Sequence, residues 1–363
     1  IGEHTWFFKD KTLSMAVNLP VFVSVSKRSD ANLRFYFPQL KERKRGSITS
    51  LKYKKEDKWA NVVKAIIYGF ISSGFECSGM NFTISSEILP SAGFGITTAV
   101  KIATVWAIRE LYNFKCSDLQ IIQILEKANK LFLGMGCFKA DIYTAMYSKN
   151  DTLVLTDHAQ NFWENIPFKF QDKKIILTDA RVPRIITWNE ESLQQPENVL
   201  LLGELKDVSQ TVYGGWKYED NQAEINEVLS VVSEDVRRRL LCIMSEHKCL
   251  LDAVSAIQNQ DFARFAKAVN HSHENMRDLY DISGPEIDWI LKRVQELDEN
   301  PDDLRTPVNC GRITGKGFGR CTYSVLRTSD VEKYKTRLIE YERIFGFKPA
   351  VYEVKPANGV QLL

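Results

Sequence analysis

Residues Thr314-Gly315-Lys316-Gly317-Phe318-Gly319-Arg320-Cys321-Thr322 carry three glycines at alternate positions, just ahead of the strand-like run Tyr323-Ser324-Val325-Leu326. Glycines so spaced let the backbone lie flush against a ligand, and successive N–H groups can form a nest that holds an anion. A tight turn before a strand uses the same residues, so the motif alone leaves both readings open. A second stretch, Pro90-Ser91-Ala92-Gly93-Phe94-Gly95-Ile96-Thr97-Thr98, runs a glycine-bearing loop into a helix start. Free N–H groups and the helix dipole at such a start can hold phosphate. A plain strand-to-helix turn capped by Thr97 or Thr98 has the same appearance. A third stretch, Gly134-Met135-Gly136-Cys137-Phe138-Lys139-Ala140-Asp141, leads a loop into a helix that opens with a carboxylate, where the helix dipole stabilises it.

The elements that must position these residues are legible in part. Residues 21–26 and 81–86 read as strands from their β-branched, alternating composition, as do 152–157 and 174–178. Val100, Ala103, Trp106, Ala107 and Leu111 recur at helical spacing and predict a helix over 97–111. Ser117 with Asp118 marks the start of another, over 117–132, and helix resumes at 140–147. From about residue 181 polar stretches precede long helices over 226–255 and 261–280. On the second of these Phe262, Phe265, Ala266, Val269 and Met276 fall on one face. A domain boundary is placed near residue 180, giving domains 1–180 and 181–347 and a tail, 348–363, that packs back on the first.

Composition narrows the function. The chain has 363 residues, 44% hydrophobic and 26% charged, enough for two domains with real cores. Its formal charge of +2 argues against a dedicated nucleic-acid surface, and the short basic run Lys41-Glu42-Arg43-Lys44-Arg45 reads as a solvated loop. Seven cysteines without a C-x-x-C pair suit reduced thiols and a cytoplasmic protein. No apolar run reaches membrane-spanning length, and no membrane partner is expected. Several chemistries drop out on spacing. Gly311 to Gly317 is one residue short of a Walker A loop and lacks its hydroxyl. His271-Ser272-His273 has no neighbouring ligand cluster, which favours packing or capping over a metal site. There is no G-x-S-x-G elbow for acyl transfer.

Taken together, the segments resemble the GHMP small-molecule kinases, and among them the galactokinases. Ile1-Gly2-Glu3-His4-Thr5 is similar to the end of their first signature, G-R-V-N-L-I-G-E-H-T-D-Y. The loop at 90–99 resembles their nucleotide loop, and Gly134 to Asp141 aligns without gaps on G-M-P-C-G-I-M-D. His273-Glu274-Asn275-Met276-Arg277-Asp278-Leu279-Tyr280 resembles a further family block. Thr314 to Thr322 is similar to T-G-G-G-F-G-G-C-T, and the tail follows the family's closing pattern. The blocks fall in family order across nearly the whole chain.

The resemblance implies an α+β, two-domain kinase with its active site in the interdomain cleft, using ATP and Mg²⁺ to phosphorylate galactose or a related monosaccharide at the anomeric hydroxyl. Asp141 would be the catalytic carboxylate, and Glu3, His4, Trp6, Phe138 and Trp188 would meet the sugar. Gly93, Gly95, Thr97, Thr98, Gly315 and Gly317 would meet the nucleotide, and Thr98 with Asn129 the metal. The family's catalytic arginine would lie upstream of Ile1, so further residues are expected to precede it. The sugar and ATP are the expected partners, with a monomer as the expected state. Departures cluster at the chemistry: Trp6 replaces an aspartate, Phe138 a glycine, Ile142 a glutamine, and Asn129 a magnesium-binding glutamate. They keep a second reading open, a catalytically degenerate relative that senses sugar or nucleotide.

Overall fold

The computed structural model describes residues 1–4, 11–88, 94–136, 138–183, 227, 229–230, 232–298, 306–315 and 320–363. Its elements begin with β1 (Lys11–Ser14), β2 (Val21–Lys27), β3 (Asn32–Phe37), β4 (Glu42–Ser47), α1 (Ala60–Ser72) and β5 (Met80–Ser86). Then come α2 (Ile96–Tyr112), α3 (Asp118–Lys127), α4 (Lys139–Tyr147), β6 (Thr152–Asp157), β7 (Phe162–Pro167) and β8 (Lys173–Asp179). The remainder are α5 (Glu234–Gln258), α6 (Phe262–Glu274), α7 (Pro285–Gln295), β9 (Cys310–Ile313), β10 (Cys321–Arg327), α8 (Val331–Arg337), α9 (Ile339–Phe345) and β11 (Ala350–Val354).

These elements form two compact units, Ile1–Ser14 with Asp151–Lys355, and Met15–Asn150 with Pro356–Leu363. The division differs from a boundary near residue 180, for a reason that local pattern does not carry. β1 zips antiparallel onto β6 with Leu13 opposite Leu155, which ties the chain's first residues to the unit that begins at Asp151. At the other end Ala357 donates its N–H to the Ala16 carbonyl at 2.9 Å and Val360 to that of Ala145 at 2.7 Å, holding the last residues in the second unit. Gly359 is required there, because a Cβ would sit 2.7 Å from the Met146 carbonyl oxygen.

The first unit has an antiparallel sheet in the order β1-β6-β7 and another in the order β11-β8-β10-β9. β8 lies inside the second sheet, and its run Ile175-Ile176-Leu177 is buried, as an unbroken apolar stretch of strand length requires. Ile176, Met276, Tyr280, Ile290, Leu326 and Tyr334 form the heart of its core. On α6 the buried side chains include Phe265, Ala266 and Val269, while Phe262 sits edge-on to Phe170 at 5.1 Å. The last turns of this helical stretch, Asn275–Leu279, widen to π geometry.

The second unit is built on a mixed sheet in the order β2-β5-β3-β4, with β3 and β5 parallel and the other pairs antiparallel. Here the basic run is corrected from loop to strand: Glu42 to Arg45 lie in β4, at the sheet edge, paired to β3. Charged side chains on an edge strand discourage pairing with another chain, so the composition that suggested a solvated loop belongs to a protected edge. α2 also buries a different face from the one expected. Val100, Thr104 and Ile108 with Ile102 and Val105 are buried, whereas Ala103, Trp106, Ala107 and Leu111 are half-buried. The alanines and Trp106 followed the helical period as faithfully as the β-branched residues did, so periodicity alone did not choose the buried face.

Candidate active site

The glycine motif at 314–322 closes a hairpin. β9 and β10 pair with Ile313 opposite Thr322, and Thr314 donates its N–H to the Cys321 carbonyl at 3.0 Å. Gly315 takes φ of +82°, a conformation that favours glycine, while Gly317 lies outside the described residues. Arg320 does not extend into solvent. Its Nη2 donates to Asp179 Oδ2 at 3.2 Å and its Nε lies 3.0 Å from Oδ1, locking the hairpin to the end of β8.

Beneath this hairpin lies a buried charge cluster that sequence reading missed. The Arg312 guanidinium on β9, 1% exposed, donates from Nη1 to Glu3 Oε1 at 2.6 Å and from Nη2 to Glu246 Oε2 at 3.2 Å. Its Nε donates to Ser272 Oγ at 2.6 Å. Burial alone would push the Glu3 carboxyl up, but the Arg312 guanidinium outweighs it and holds that group well below the usual carboxylate range. Burial likewise opposes the charge on Arg312, and Glu3 and Glu246 overcome it. Glu3 is therefore committed to an internal ion pair in the first unit. His4 is fully buried, its ring tilted against Tyr280 with centroids 4.7 Å apart. Gly2 makes the entry to this cluster possible. Its φ is +90°, and a Cβ would stand 2.6 Å from the Lys11 carbonyl oxygen. Of the H-S-H triplet, Ser272 accepts from Arg312, His271 pairs with Glu274 at 3.2 Å and His273 with Asp288 at 3.3 Å. All three residues serve packing and charge pairing.

The second unit assembles the other candidates. Gly95 caps α2 in the left-handed conformation, with no side-chain cap from Thr97 or Thr98, so the first N–H groups of the helix are not taken by a threonine. Thr98 lies one turn in, half-buried, and its hydroxyl donates to Asp141 Oδ2 at 3.5 Å, the long end of hydrogen-bond range. Asp141 is half-buried in the first turn of α4, and Phe138 is that helix's N-cap residue. Asn129 is buried in the π-helical turn Ala128–Leu133 that follows α3. The Lys101 ammonium, also buried, donates to Asn129 Oδ1. Lys101 follows Thr98 by three positions, so both side chains lie on one face of α2. Trp6, Gly93 and Trp188 lie outside the described residues.

The pair Thr98 and Asn129 does not fit the magnesium ion expected there. Mg²⁺ favours hard, charged oxygen ligands in strict octahedral geometry. Here one donor is a hydroxyl turned to Asp141, and the other is a neutral amide oxygen already taken by an ammonium. A dication about 4 Å from that ammonium would be repelled by roughly 8 kcal/mol at an effective dielectric constant of about 20. An amide dipole offsets little of that. Among the described residues no three His, Cys, Asp or Glu side chains form a metal-holding group.

Comparison with known proteins agrees with this architecture. Residues 61–149 match the model of the GHMP kinases N terminal domain. A galactokinase homologue of Treponema pallidum is 38% identical over 369 residues, spanning 100% of this chain and 90% of that protein. The galactokinase of Thermotoga maritima is 28% identical over 99% of this chain and 96% of its own length. The crystal structure of Lactococcus lactis galactokinase complexed with galactose superposes with a TM-score of 0.82 at 20% identity, covering 100% of this chain and 92% of that one. With the glycine hairpin, the nucleotide-type helix start and Asp141 at the head of α4, the chain belongs to the GHMP kinases, as a relative of the galactokinases.

Proposed function

We propose that this protein is an ATP-dependent sugar kinase acting on galactose or a related monosaccharide at the anomeric hydroxyl. The observation that carries the reading is the Thr98–Asp141 contact, which joins the glycine-led helix start to a half-buried carboxylate within one compact unit. A phosphate at the first turn of α2 would find N–H groups and the positive end of the helix dipole. Asp141 would accept the proton of the sugar hydroxyl as its oxygen bonds to the γ-phosphorus. The bond from that phosphorus to the β–γ bridging oxygen breaks, and ADP leaves. Thr98 orients Asp141 by donating to the oxygen that is not receiving the proton. Mg²⁺ enters this reading only as the partner of ATP. The six described cysteines carry no disulfide, which supports a reducing, cytoplasmic setting; among the described residues no helix is long and apolar enough to cross a membrane.

A second reading, a nucleotide or sugar sensor without turnover, is favoured by Asn129 standing where the family has glutamate. A coupled ADP-release assay over a panel of monosaccharides, with Asp141→Asn as control, decides between them. Sugar-dependent turnover lost in the variant supports the kinase. Silence across the panel together with retained nucleotide binding, seen as a thermal shift, supports the sensor.

A further inference from the structure

In the second unit a buried ammonium and a neutral amide stand together where the resemblance calls for a carboxylate and a magnesium ion. Lys101 and Asn129 are 7% and 5% exposed, and Lys101 Nζ donates to Asn129 Oδ1. Burying an ammonium costs several kcal/mol unless the site gives it polar partners. Such a group is not placed by accident on the phosphate-facing helix, one turn beyond Thr98. The two departures also balance. Glutamate with Mg²⁺ brings a net charge of +1 to the site, and asparagine with lysine brings the same +1.

We propose that the Lys101 ammonium takes the place of the protein-held divalent cation, positioned by Asn129, and supplies the positive charge that meets the nucleotide's phosphates. The inference rests on the nucleotide half of the kinase reading, and it goes beyond that reading by naming the residue and removing a metal requirement. Asn129 is a positioning residue here: an amide oxygen holds the ammonium by a hydrogen bond without neutralising it, whereas a carboxylate would cancel its charge.

The test is ADP binding by isothermal titration on the full chain, once with Mg²⁺ and once with a chelator. The wild-type protein is expected to bind ADP within about threefold under the two conditions. Lys101→Ala should weaken binding at least tenfold in both, with folding checked by circular dichroism. Lys101→Ala combined with Asn129→Glu should recover affinity only with Mg²⁺, giving a tenfold or greater dependence on the ion. Asn129→Glu alone should weaken ADP binding, because the new carboxylate pairs with Lys101. Wild-type binding that falls tenfold or more on chelation would overturn the proposal while leaving the kinase reading intact, and that measurement needs no variant. Lys101→Ala binding like wild type would also overturn it. No ADP binding under either condition would remove the nucleotide half of the kinase reading and this inference with it.

Discussion

Each unit buries a cation, and the two do so differently. In the first, the Arg312 guanidinium is closed in by two carboxylates and a hydroxyl, with Glu246 fully buried and Glu3 nearly so. In the second, the Lys101 ammonium bonds to a neutral amide, and the nearby Asp141 carboxylate accepts from a neutral hydroxyl while remaining half-exposed. A cluster whose charges cancel internally behaves as structure, since nothing is gained when a ligand enters it. A cluster whose members meet dipoles and stay within reach of solvent retains field for a substrate to use. The contrast separates residues that the family resemblance groups together. Glu3 belongs to the architecture of its unit, and Asp141 to chemistry.

This contrast can be broken at several points. The largest effect should come from Asp141→Asn, which keeps the shape and removes the proton acceptor. Sugar-dependent ADP release is expected to fall by about 10²- to 10⁴-fold, with an unfolding midpoint close to that of wild type. A comparable loss of stability in this variant would place Asp141 with Arg312 as structure. Next, Arg312→Met strands two buried carboxylates and should cost about 3–5 kcal/mol in chemical denaturation. A loss under 1 kcal/mol would show that the cluster is not closed as described.

The acid limb of stability sharpens the same point. Glu3 is ionised in the folded protein below its unfolded value of 4.5, because Arg312 holds its carboxyl down. Its contribution is thus complete above about pH 4.5 and is lost progressively as the pH falls below it. Denaturation followed from pH 6 to 2.5 should show this slope, and Glu3→Gln should flatten it. The smallest effect is expected from Thr98→Ala, which removes one long hydrogen bond to Asp141. A net bond is worth about 0.5–1.5 kcal/mol, so turnover should drop about two- to tenfold with stability unchanged. A drop as large as that of Asp141→Asn would make Thr98 more than an orienting group.

Much of the local structure was legible in the residues. The Ser117 start of α3 is a full capping box, its hydroxyl accepting from the Gln120 N–H and the Gln120 side chain returning to Ser117. β2, β5, β6 and β8 were marked by β-branched residues, and α6 by its Phe265, Ala266, Val269 spacing. β1 and β4 were not legible. One is four residues long and the other is mostly charged, and each exists because a distant strand pairs with it.

The candidate site divides in the same way. Residue types and their order alone pointed to the glycine hairpin, the nucleotide-type helix start, Asp141 and the family, because these motifs are contiguous and their backbone demands are local. Tertiary structure alone brought Arg312 to Glu3 across 309 positions and Lys101 to Asn129 across 28. A buried charge is tolerated only beside its partner, and which partner is near depends on how the chain folds back on itself.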